Sequence, residues 1–514
     1  MLKCKINGQD VEVAEGSSII EAFKATGQDI AHYCWHPGLS VAGVCRLCMV
    51  EIEGNPRLQI ACNTQVQEGM VINNNSDKIK DAVKWGLDFH LINHPLDCPI
   101  CAQAGECQLQ IQYMKFGQYD PEMAERKVKK RKVVDLGPKI VLDTERCILC
   151  SRCVRFTDEV SKTNELGIFN RGDHSEIGTV DDRPLDNPYS VNTVDICPVG
   201  ALTSREFRFQ QRVWYLKNET TVCNGCSTGC STKVYFNEEG MWRVKPDHND
   251  DVNGYWMCDE GRGTPRFVNK DSRLLSAWNG QKDEGQDLEA GAAAKAVGQT
   301  LKKVVAEQGS DKVAFVVTGQ YTDQENRAFL SLAKDLGVKV YHWVNNPEKM
   351  DEFDGLLIRG DKNPNTYGLK EAMKEVGVGS PWSELESSVS DLEYVVVAGP
   401  ENHFAYSDLT DKVDLFSKAN HQVWFVAGDH DVLRAASNKV SLIPTKTYVE
   451  KDGTYKNFEG REQRIRRVMT LVPGALSLTE ASKLMSGQEL LVDGNVSESY
   501  RKTNFFSSNE RGYL

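Results

Sequence analysis

Cysteine is the residue type in this sequence that is both abundant and spaced for chemistry. All 16 cysteines lie between Cys4 and Cys258, and none follows in the second half of the chain. Cysteines in such number can form disulfides, hold structural zinc or bind iron-sulfur clusters. Their spacing sorts fifteen of them, with one histidine, into four groups of four metal ligands, which we call the first to fourth sets. Cys4 is left over, and we expect it to be a buried apolar side chain on a strand.

The first set is Cys34, Cys45, Cys48 and Cys62. Cys45 and Cys48 directly precede a predicted strand over residues 49–53, which places the pair on a loop that enters a sheet. Thiolates from one extended loop plus one remote cysteine suit a [2Fe-2S] cluster, although the ten-residue gap after Cys34 exceeds the plant-type spacing. A strand, a hairpin and a helix predicted over residues 2–26 indicate a β-grasp ferredoxin domain at residues 1–78.

The second set is His94, Cys98, Cys101 and Cys107, in a predicted domain at residues 79–120. On spacing alone, three cysteines and a histidine fit zinc as well as an iron-sulfur cluster. His90 lies four residues earlier and would share a helical face with His94, but a packing role is more typical of it. We therefore assign His94, which adjoins the cysteine loop, as the ligand. An imidazole in place of a thiolate removes a negative charge, which raises the potential of a bound cluster.

The third set is Cys147, Cys150, Cys153 and Cys197, in a predicted ferredoxin-like domain at residues 121–215. These cysteines follow the pattern of a bacterial two-cluster ferredoxin, in which the last cysteine of one run ligates the cluster of the other run. The ligands of a second cluster would stand where the sequence has Thr157, Asn187, Ser190 and Thr193. One complete [4Fe-4S] site therefore survives. A zinc site has no reason to keep this crossed pattern.

The fourth set is Cys223, Cys226, Cys230 and Cys258, in a predicted domain at residues 216–272. Taken alone, this spacing favours zinc and an iron-sulfur cluster about equally. Beside three other complete sets, the iron-sulfur interpretation becomes the favoured one. The sequence thus predicts one [2Fe-2S] cluster and three [4Fe-4S] clusters.

The second half of the chain predicts an α/β domain over residues 273–514. Apolar runs, most of which end at glycine, occupy residues 312–319, 338–343, 394–399 and 423–428. They alternate with amphipathic stretches such as residues 323–336, a pattern typical of a parallel sheet covered by helices. No G-x-G-x-x-G, Walker A or H-E-x-x-H motif is present. We therefore expect no catalytic residue and no substrate site in this half.

Composition narrows the class of protein further. The net charge of −12 argues against nucleic acid as a ligand, because phosphate binding needs a basic surface. Unbroken apolar runs are far shorter than the roughly 20 residues that span a bilayer. The first residues show no secretion signal, so we expect a cytosolic compartment, where disulfides are rare. The basic run at residues 126–132 predicts a solvated connector, with a docking site for an acidic partner as the alternative.

The succession C-x10-C-x2-C-x13-C, H-x3-C-x2-C-x5-C, C-x2-C-x2-C with a distant C-P, and C-x2-C-x3-C-x27-C resembles a known family. It is similar, over about residues 1–270, to the large iron-sulfur subunits (the G subunits) of respiratory complex I, NADH:quinone oxidoreductase. Residues 322–326, 360–364 and 450–463 are similar to the molybdopterin-oxidoreductase fold. The resemblance implies a multidomain α+β and α/β chain: a β-grasp [2Fe-2S] ferredoxin, small cluster-binding domains, and a degenerate molybdopterin-oxidoreductase-like α/β domain that holds no molybdopterin.

The resemblance also implies a direction for electrons. A flavin on an NADH-binding partner subunit would pass them to the first set. They would then reach the third set and the second set, and leave through other iron-sulfur subunits of the peripheral arm toward quinone. The fourth set would lie off this route. The implied location is peripheral, at the cytoplasmic side of the inner membrane, with membrane subunits reached only indirectly.

Three alternatives remain open at this point. The chain could be the equivalent diaphorase-side subunit of a soluble NAD-linked hydrogenase or formate dehydrogenase, which shares the front domains. It could be a catalytic molybdenum enzyme whose second half holds a molybdopterin. It could also be a zinc-dependent interaction protein, although the crossed pattern of the third set argues against zinc.

Overall fold

The computed structural model describes residues 1–120, 122–123 and 125–490. Two compact units divide the chain. The first contains Met1–Asn269 and a short return segment, Asp351–Gly360, and the second contains Lys270–Met350 and the chain from Asp361 onward. Residues 121 and 124 of the predicted domain 121–215, and residues 491–514 of the predicted domain 273–514, lie outside the described residues. No sequence pattern predicts that the return segment belongs with the first unit.

The first unit begins with a mixed sheet that packs helix α1 against one face. Alternation along the opening strand places Cys4 and Ile6 in the core, and a capping box between Ser18 and Glu21 starts the helix. These observations confirm the strand, hairpin and helix predicted over residues 2–26 and the burial of Cys4. The elements are β1 (Leu2–Ile6), β2 (Gln9–Val13), α1 (Ile19–Ala25), β3 (Met49–Ile52), β4 (Gln59–Ile60) and β5 (Val71–Asn73), in the sheet order β2-β1-β5-β3-β4.

The middle of the first unit consists of cysteine-bearing loops between short elements. Strands β10, β7 and β6 form a small antiparallel sheet, and β8 pairs with β9 as a hairpin. The elements are α2 (Asp77–Leu91), α3 (Gln108–Phe116), β6 (Val134–Asp135), β7 (Ile140–Leu142), α4 (Arg152–Glu159), β8 (Leu166–Phe169), β9 (Glu176–Thr179), α5 (Asn192–Asp195) and β10 (Leu202–Ser204).

The first unit ends in an antiparallel meander and two short helices. These are β11 (Lys217–Val222), β12 (Ser231–Phe236), β13 (Met241–Pro246), α6 (Asp259–Arg262) and α7 (Pro265–Val268). The return segment is held in this unit by hydrogen bonds. The Leu357 amide donates to the Tyr189 hydroxyl at 3.0 Å, and the Thr228 hydroxyl donates to the Leu357 carbonyl at 2.5 Å.

The second unit is a sheet with helices on both faces. In its described part, seven strands run in the order β15-β14-β20-β19-β18-β16-β17, parallel from β20 to β17 and antiparallel at β14 and β15. The strands of this sheet are β14 (Ala277–Gln281), β15 (Glu284–Leu288), β16 (Val313–Val317), β17 (Lys339–His342), β18 (Tyr394–Ala398), β19 (His421–Val426) and β20 (Lys439–Pro444). The parallel sheet predicted from four apolar runs is confirmed; β20 and the antiparallel hairpin were not predicted.

Helices cover both faces because alternate residues of the central strands point to opposite sides. In β18, Val396 and Ala398 pack in one apolar core, and Val395 and Val397 pack in the other. The remaining elements are α8 (Ala290–Gln308), α9 (Asp323–Asp335), α10 (Thr366–Val376), α11 (Trp382–Ser388), α12 (Leu409–Phe416), α13 (Asp431–Arg434), the hairpin β21 (Gly453–Lys456) and β22 (Glu462–Ile465), and α14 (Leu478–Met485). Among the helices of the described ranges, none combines the length and the apolar character needed to cross a bilayer.

Candidate metal centres

The sheet of the opening domain brings the cysteines of the first set close together. Strand β3 starts directly after Cys48 and pairs with β4, and the Ala61 amide donates to the Cys48 carbonyl at 2.7 Å, which brings Cys62 alongside. On the preceding loop, the sulfur atoms of Cys34 and Cys45 lie 3.5 Å apart. All four thiols are buried. The predicted ligands therefore share one site at the edge of this sheet.

Hydrogen bonding makes the thiols of the first set unequal. A hydrogen bond between Cys34 and Cys45 lowers the pKa of Cys34 to about 5 and raises the pKa of Cys45, which burial raises further. A bond between Cys48 and Cys62 likewise lowers the pKa of Cys62 and raises the pKa of Cys48. Cys45 and Cys48 would have to lose protons to become iron ligands, so cluster binding at this site would release protons.

The cysteines of the second set lie on a short loop that leads into α3. Burial raises the pKa of Cys107 to about 11, and the charges of Cys101 and Cys98 contribute to the rise. Cys101 packs directly against Gly200, where a Cβ atom would collide with the Cys101 sulfur. Gly200 lies three residues after Cys197. The loops of the second and third sets are therefore in contact.

His94 follows the end of α2. Its Nδ1 atom is buried and has no hydrogen-bond partner among the described residues, and burial lowers the pKa of the ring to about 4. The ring is thus neutral at pH 7 and can offer a lone pair to a metal. By contrast, Nδ1 of His90 lies 2.6 Å from the Gly86 carbonyl, to which it must donate. His94 also lines a cleft of about 290 Å³ whose wall includes Cys147.

The third set surrounds one small cavity. All four of its thiols line this cavity together with apolar side chains such as Leu142 and Leu202. Left-handed backbone at Leu149 and Ser151 curls the loop, and the Leu149 amide donates to the Cys147 sulfur at 3.4 Å. Burial raises the pKa of Cys147 to about 12 and that of Cys150 to about 11.

The positions where a second cluster would have its ligands carry hydrogen-bonded polar side chains. The Ser190 hydroxyl donates to the Asp259 carboxylate at 2.7 Å, and the Thr193 hydroxyl donates to the Ser190 carbonyl at 2.7 Å. The Thr157 hydroxyl donates to a carbonyl of its own helix, and the Asn187 amide donates to Glu165. Each of the four side chains therefore already has a hydrogen-bond partner within the protein.

The fourth set is buried where β11 leads into the meander. The Cys223 amide donates to the Cys230 carbonyl at 2.8 Å, and the charges of Cys258 and Cys226 reinforce the rise that burial causes in the pKa of Cys223. Cys258 starts α6, whose Gly261 amide donates to the Cys258 sulfur at 3.3 Å. The structure thus brings all four predicted ligands together.

The surroundings of the sulfur atoms fit iron-sulfur ligation. Backbone amides donate to cysteine sulfurs in the first, third and fourth sets, and such bonds favour the thiolate and adjust cluster potential. Within the described ranges, no three His, Cys, Asp or Glu side chains are arranged to hold a single metal ion.

The basic run lies between α3 and β6, and several of its cations have partners within the first unit, so these side chains are not simply solvated as the prediction had them. Lys132 forms ion pairs with Asp97 at 2.6 Å and Glu145 at 2.8 Å. The Lys127 ammonium donates to the Leu91 carbonyl at 2.7 Å, at the end of α2 and close to His94 in sequence. The run therefore ties the loop of the second set to the domain of the third set.

Two arginines near the first and third sets have contacts that no sequence pattern predicts. Arg152 lies between the ligands Cys150 and Cys153, and Arg155 lies one helical turn farther along α4. Each donates to carbonyl groups of the loop that carries Cys34. Their only signal in the sequence is a positive charge inside a cysteine motif.

Family models match this chain within residues 1–270. Four family models match: the 2Fe-2S iron-sulfur cluster binding domain (residues 1–77), the NADH-ubiquinone oxidoreductase-G iron-sulfur binding region (86–121), the NADH-quinone oxidoreductase subunit 3, ferredoxin-like domain (137–203) and the Molybdopterin oxidoreductase Fe4S4 domain (216–270).

Two similar proteins are named as G subunits of NADH-quinone oxidoreductase. The G subunit of NADH-quinone oxidoreductase from Rickettsia felis is 38% identical over 264 residues, which cover 51% of this chain and 39% of the relative. The G subunit from Streptomyces coelicolor is 34% identical over 331 residues, which cover 64% of this chain and 39% of the relative. A solved chain of an NAD+-reducing [NiFe]-hydrogenase is 29% identical, with a TM-score of 0.38, over 41% of this chain and 91% of that chain. The resemblance of the first half is confirmed, and the chain spans about two fifths of the length of these curated relatives.

Proposed function

We propose that this chain is an electron-transfer iron-sulfur subunit of the peripheral arm of an NADH:quinone oxidoreductase. The third set carries the proposal, because its four thiols line one cavity. At the positions where a second cluster would have its ligands, polar side chains form hydrogen bonds with other groups of the protein instead. The match to the ferredoxin-like domain of this oxidoreductase covers that same region. An iron-sulfur cluster supplies one-electron transfer, and the chain contributes ligands, burial and hydrogen bonds that set its potential.

We assign one cluster to each set. The [2Fe-2S] ligands are Cys34, Cys45, Cys48 and Cys62. The [4Fe-4S] ligands are His94, Cys98, Cys101 and Cys107 in the second set, Cys147, Cys150, Cys153 and Cys197 in the third, and Cys223, Cys226, Cys230 and Cys258 in the fourth. The corresponding domains are residues 1–78, 79–120, 121–215 and 216–272. For the predicted domain 273–514 we propose an α/β scaffold without molybdopterin and without a catalytic residue, on the basis of its described part, which ends at residue 490 and excludes the return segment Asp351–Gly360.

We propose partners and a location from the same assignment. The first set receives electrons from a flavin- and NADH-binding subunit, and the second set delivers them to other iron-sulfur subunits of the peripheral arm. Membrane subunits are reached only through these partners. The complex lies at the cytoplasmic side of the inner membrane, and nucleic acid is not a partner.

The cluster content is tested on the full chain, prepared without oxygen and supplied with iron and sulfide. After reduction with dithionite, which converts the clusters to their paramagnetic one-electron-reduced states, low-temperature electron paramagnetic resonance (EPR) should detect one binuclear and three cubane clusters, and iron analysis should agree with that content. A colourless protein with stoichiometric zinc would contradict the proposal.

The complex is tested by native copurification from the source cell. A flavoprotein together with membrane subunits should accompany the chain. Copurification with a hydrogenase or a formate dehydrogenase, and with no quinone-reducing membrane partner, would assign the chain to a soluble complex instead. Molybdenum at one atom per chain would reassign the second half as catalytic.

A further inference from the structure

Arg152 connects the loops of the first and third sets. Its guanidinium donates to the Trp35 carbonyl at 2.6 Å and to the Ile196 carbonyl at 3.0 Å. Trp35 directly follows the ligand Cys34, and Ile196 directly precedes the ligand Cys197. One buried side chain therefore contacts the backbone beside a ligand of each set.

Arg155 makes the same kind of connection one helical turn away. Its guanidinium donates to the carbonyl of Cys34 at 2.5 Å and to the carbonyl of Cys150 at 3.3 Å. Both carbonyls belong to proposed iron ligands. Arg155 is only partly buried, and it also donates to the Ser40 carbonyl.

Arg152 places a positive charge inside the protein. The residue is 9% exposed, and within the described ranges it forms no ion pair with a carboxylate. Burial lowers the pKa of Arg152, and the nearby charge of Arg155 lowers it further, whereas Cys150, Cys197 and Cys34 oppose this fall when they carry a thiolate charge. A buried cation that meets only carbonyl dipoles is costly, and a nearby anion reduces that cost. Thiolates of the first and third sets are the anions available to it.

We propose that Arg152 and Arg155 form a cationic bridge that serves the first and third sets together and raises the potential of both clusters. This inference rests on the proposed function. One-electron reduction adds a negative charge to a site, and a fixed cation nearby stabilises that reduced state. Because the two guanidinium groups lie between the sets, both potentials depend on the same charges. The arginines act as positioning residues, since they contact the ligand loops and not the irons.

The test is an EPR-monitored redox titration of the cluster-loaded full chain. In Arg152→Gln, the midpoint potentials of the binuclear cluster and of the third-set cubane should both fall, and the other two cubanes should not shift. Arg155→Gln should shift the same two potentials by less, because solvent screens its partly exposed charge. Arg152→Lys keeps the charge and should restore most of the loss. Arg466→Gln removes an exposed arginine from the second unit, which carries none of the proposed ligands, and it should shift neither potential.

Several results would overturn the bridge. Unshifted potentials in an Arg152→Gln chain that retains both clusters would do so, as would a shift at only one of the two. If Arg152→Gln fails to hold clusters, Arg155→Gln decides by the same criterion: a fall in both potentials supports the bridge, and any other result refutes it. A wild-type chain that lacks both signals contradicts the proposed function itself, which separates that failure from a failure of the bridge.

Discussion

His90 and His94 lie about one helical turn apart, yet their ring nitrogens have different surroundings. His90 uses Nδ1 on the Gly86 carbonyl and packs its ring edge-on against Tyr33, with ring centroids 5.1 Å apart. His94 is half-buried with a ring pKa lowered to about 4, and its buried Nδ1 atom has no partner among the described side chains and backbone groups. A buried polar atom without a partner costs roughly 1–3 kcal/mol, so a metal bond at this ring would remove a penalty. His94 is the better ligand of the two.

Replacing His94 should therefore remove one cubane, and replacing His90 should not. We expect His94→Ala to show two cubane signals by EPR and a lower iron content, with His90→Ala unchanged in both. His94→Cys should keep the cubane and lower its potential, because a thiolate adds a negative charge to the site. Loss of the cubane in His90→Ala with retention in His94→Ala would reverse the ligand assignment.

Lys451, Glu325 and Glu401 form a buried ionic triad. In the second unit, the ammonium of Lys451 lies 2.8 Å from the Glu325 carboxylate and also contacts Glu401. Burial alone would lower the pKa of Lys451, but the two carboxylates raise it. Burial raises the pKa of Glu401 to about 7. One cation thus holds two carboxylates inside the domain.

Lys451→Met should destabilise the second unit by about 3–5 kcal/mol, because it leaves buried carboxylates without a counter-ion. Glu401→Gln should cost much less, because Lys451 keeps its pair with Glu325. Chemical denaturation of the full chain at pH 7, followed by hydrogen exchange in peptides of the second unit, measures both. Equal losses in the two variants would argue that Lys451 is not the element that holds the triad.

The raised pKa of Glu401 also gives the second unit a pH dependence. The folded state binds a proton at this carboxyl between its ordinary pKa of 4.5 and about 7, where the unfolded chain has released it. Stability should therefore fall as pH rises through this window, by up to about 3 kcal/mol. Denaturation of wild type and Glu401→Gln from pH 4.5 to 8 tests this. The variant should lack most of the slope, and an unchanged slope would contradict the assignment to Glu401.

At the scale of elements, the apolar runs of the second half predicted the parallel sheet because strands buried on both faces are apolar throughout. Strand β18, Tyr394–Ala398, and its neighbour β19 are examples. The hairpin partner β15, Glu284–Leu288, has the sequence EGQDL and is exposed at every residue. It has neither an apolar run nor alternation, so only its pairing with β14 identifies it as a strand.

In the candidate site too, residue spacing predicted some features and could not predict others. Cysteine spacing predicted the four sets because each set has ligands close together in sequence on a loop. It could not predict that Arg152 contacts Trp35, because that contact joins residues that lie 117 positions apart. The partners of the basic run could not be predicted for the same reason, since Lys132 forms its ion pair with Asp97 only in the folded chain.

The segment from Asn187 to Thr193 should resist reconstruction of the lost cluster. Besides the Ser190 bond to Asp259, Asn192 donates to the Met257 carbonyl at 2.8 Å and accepts from Arg262 at 2.9 Å. We expect a chain with cysteine at positions 157, 187, 190 and 193 to bind no additional cubane and to lose stability. Iron content and EPR spectra measure the first effect. The Ser190→Ala chain is the control, and should lose about 1–3 kcal/mol through its broken bond to a charged group.

At the scale of the whole molecule, the two units are stabilised by different means. The first contains all 16 cysteines. Many of their thiols are buried with raised pKa values, so binding of the proposed clusters would have to displace protons from them. The second contains no cysteine, and two apolar cores cover the two faces of its sheet. If the proposed clusters bind, we therefore expect their binding to be coupled to the folding of the first unit and not to that of the second.

Removal of iron by a chelator under anaerobic conditions should destabilise the first unit selectively. We expect hydrogen exchange to accelerate in peptides of β7 and β12, by about tenfold for each 1.4 kcal/mol of stability lost. Peptides of β16 and β19 should keep their protection, because Phe315 and Phe425 remain packed in a core that contains no ligand. The matched control is the cluster-loaded chain treated with chelator already saturated with iron. Equal acceleration in both units would show that they unfold as one cooperative body, and would contradict this division of stability.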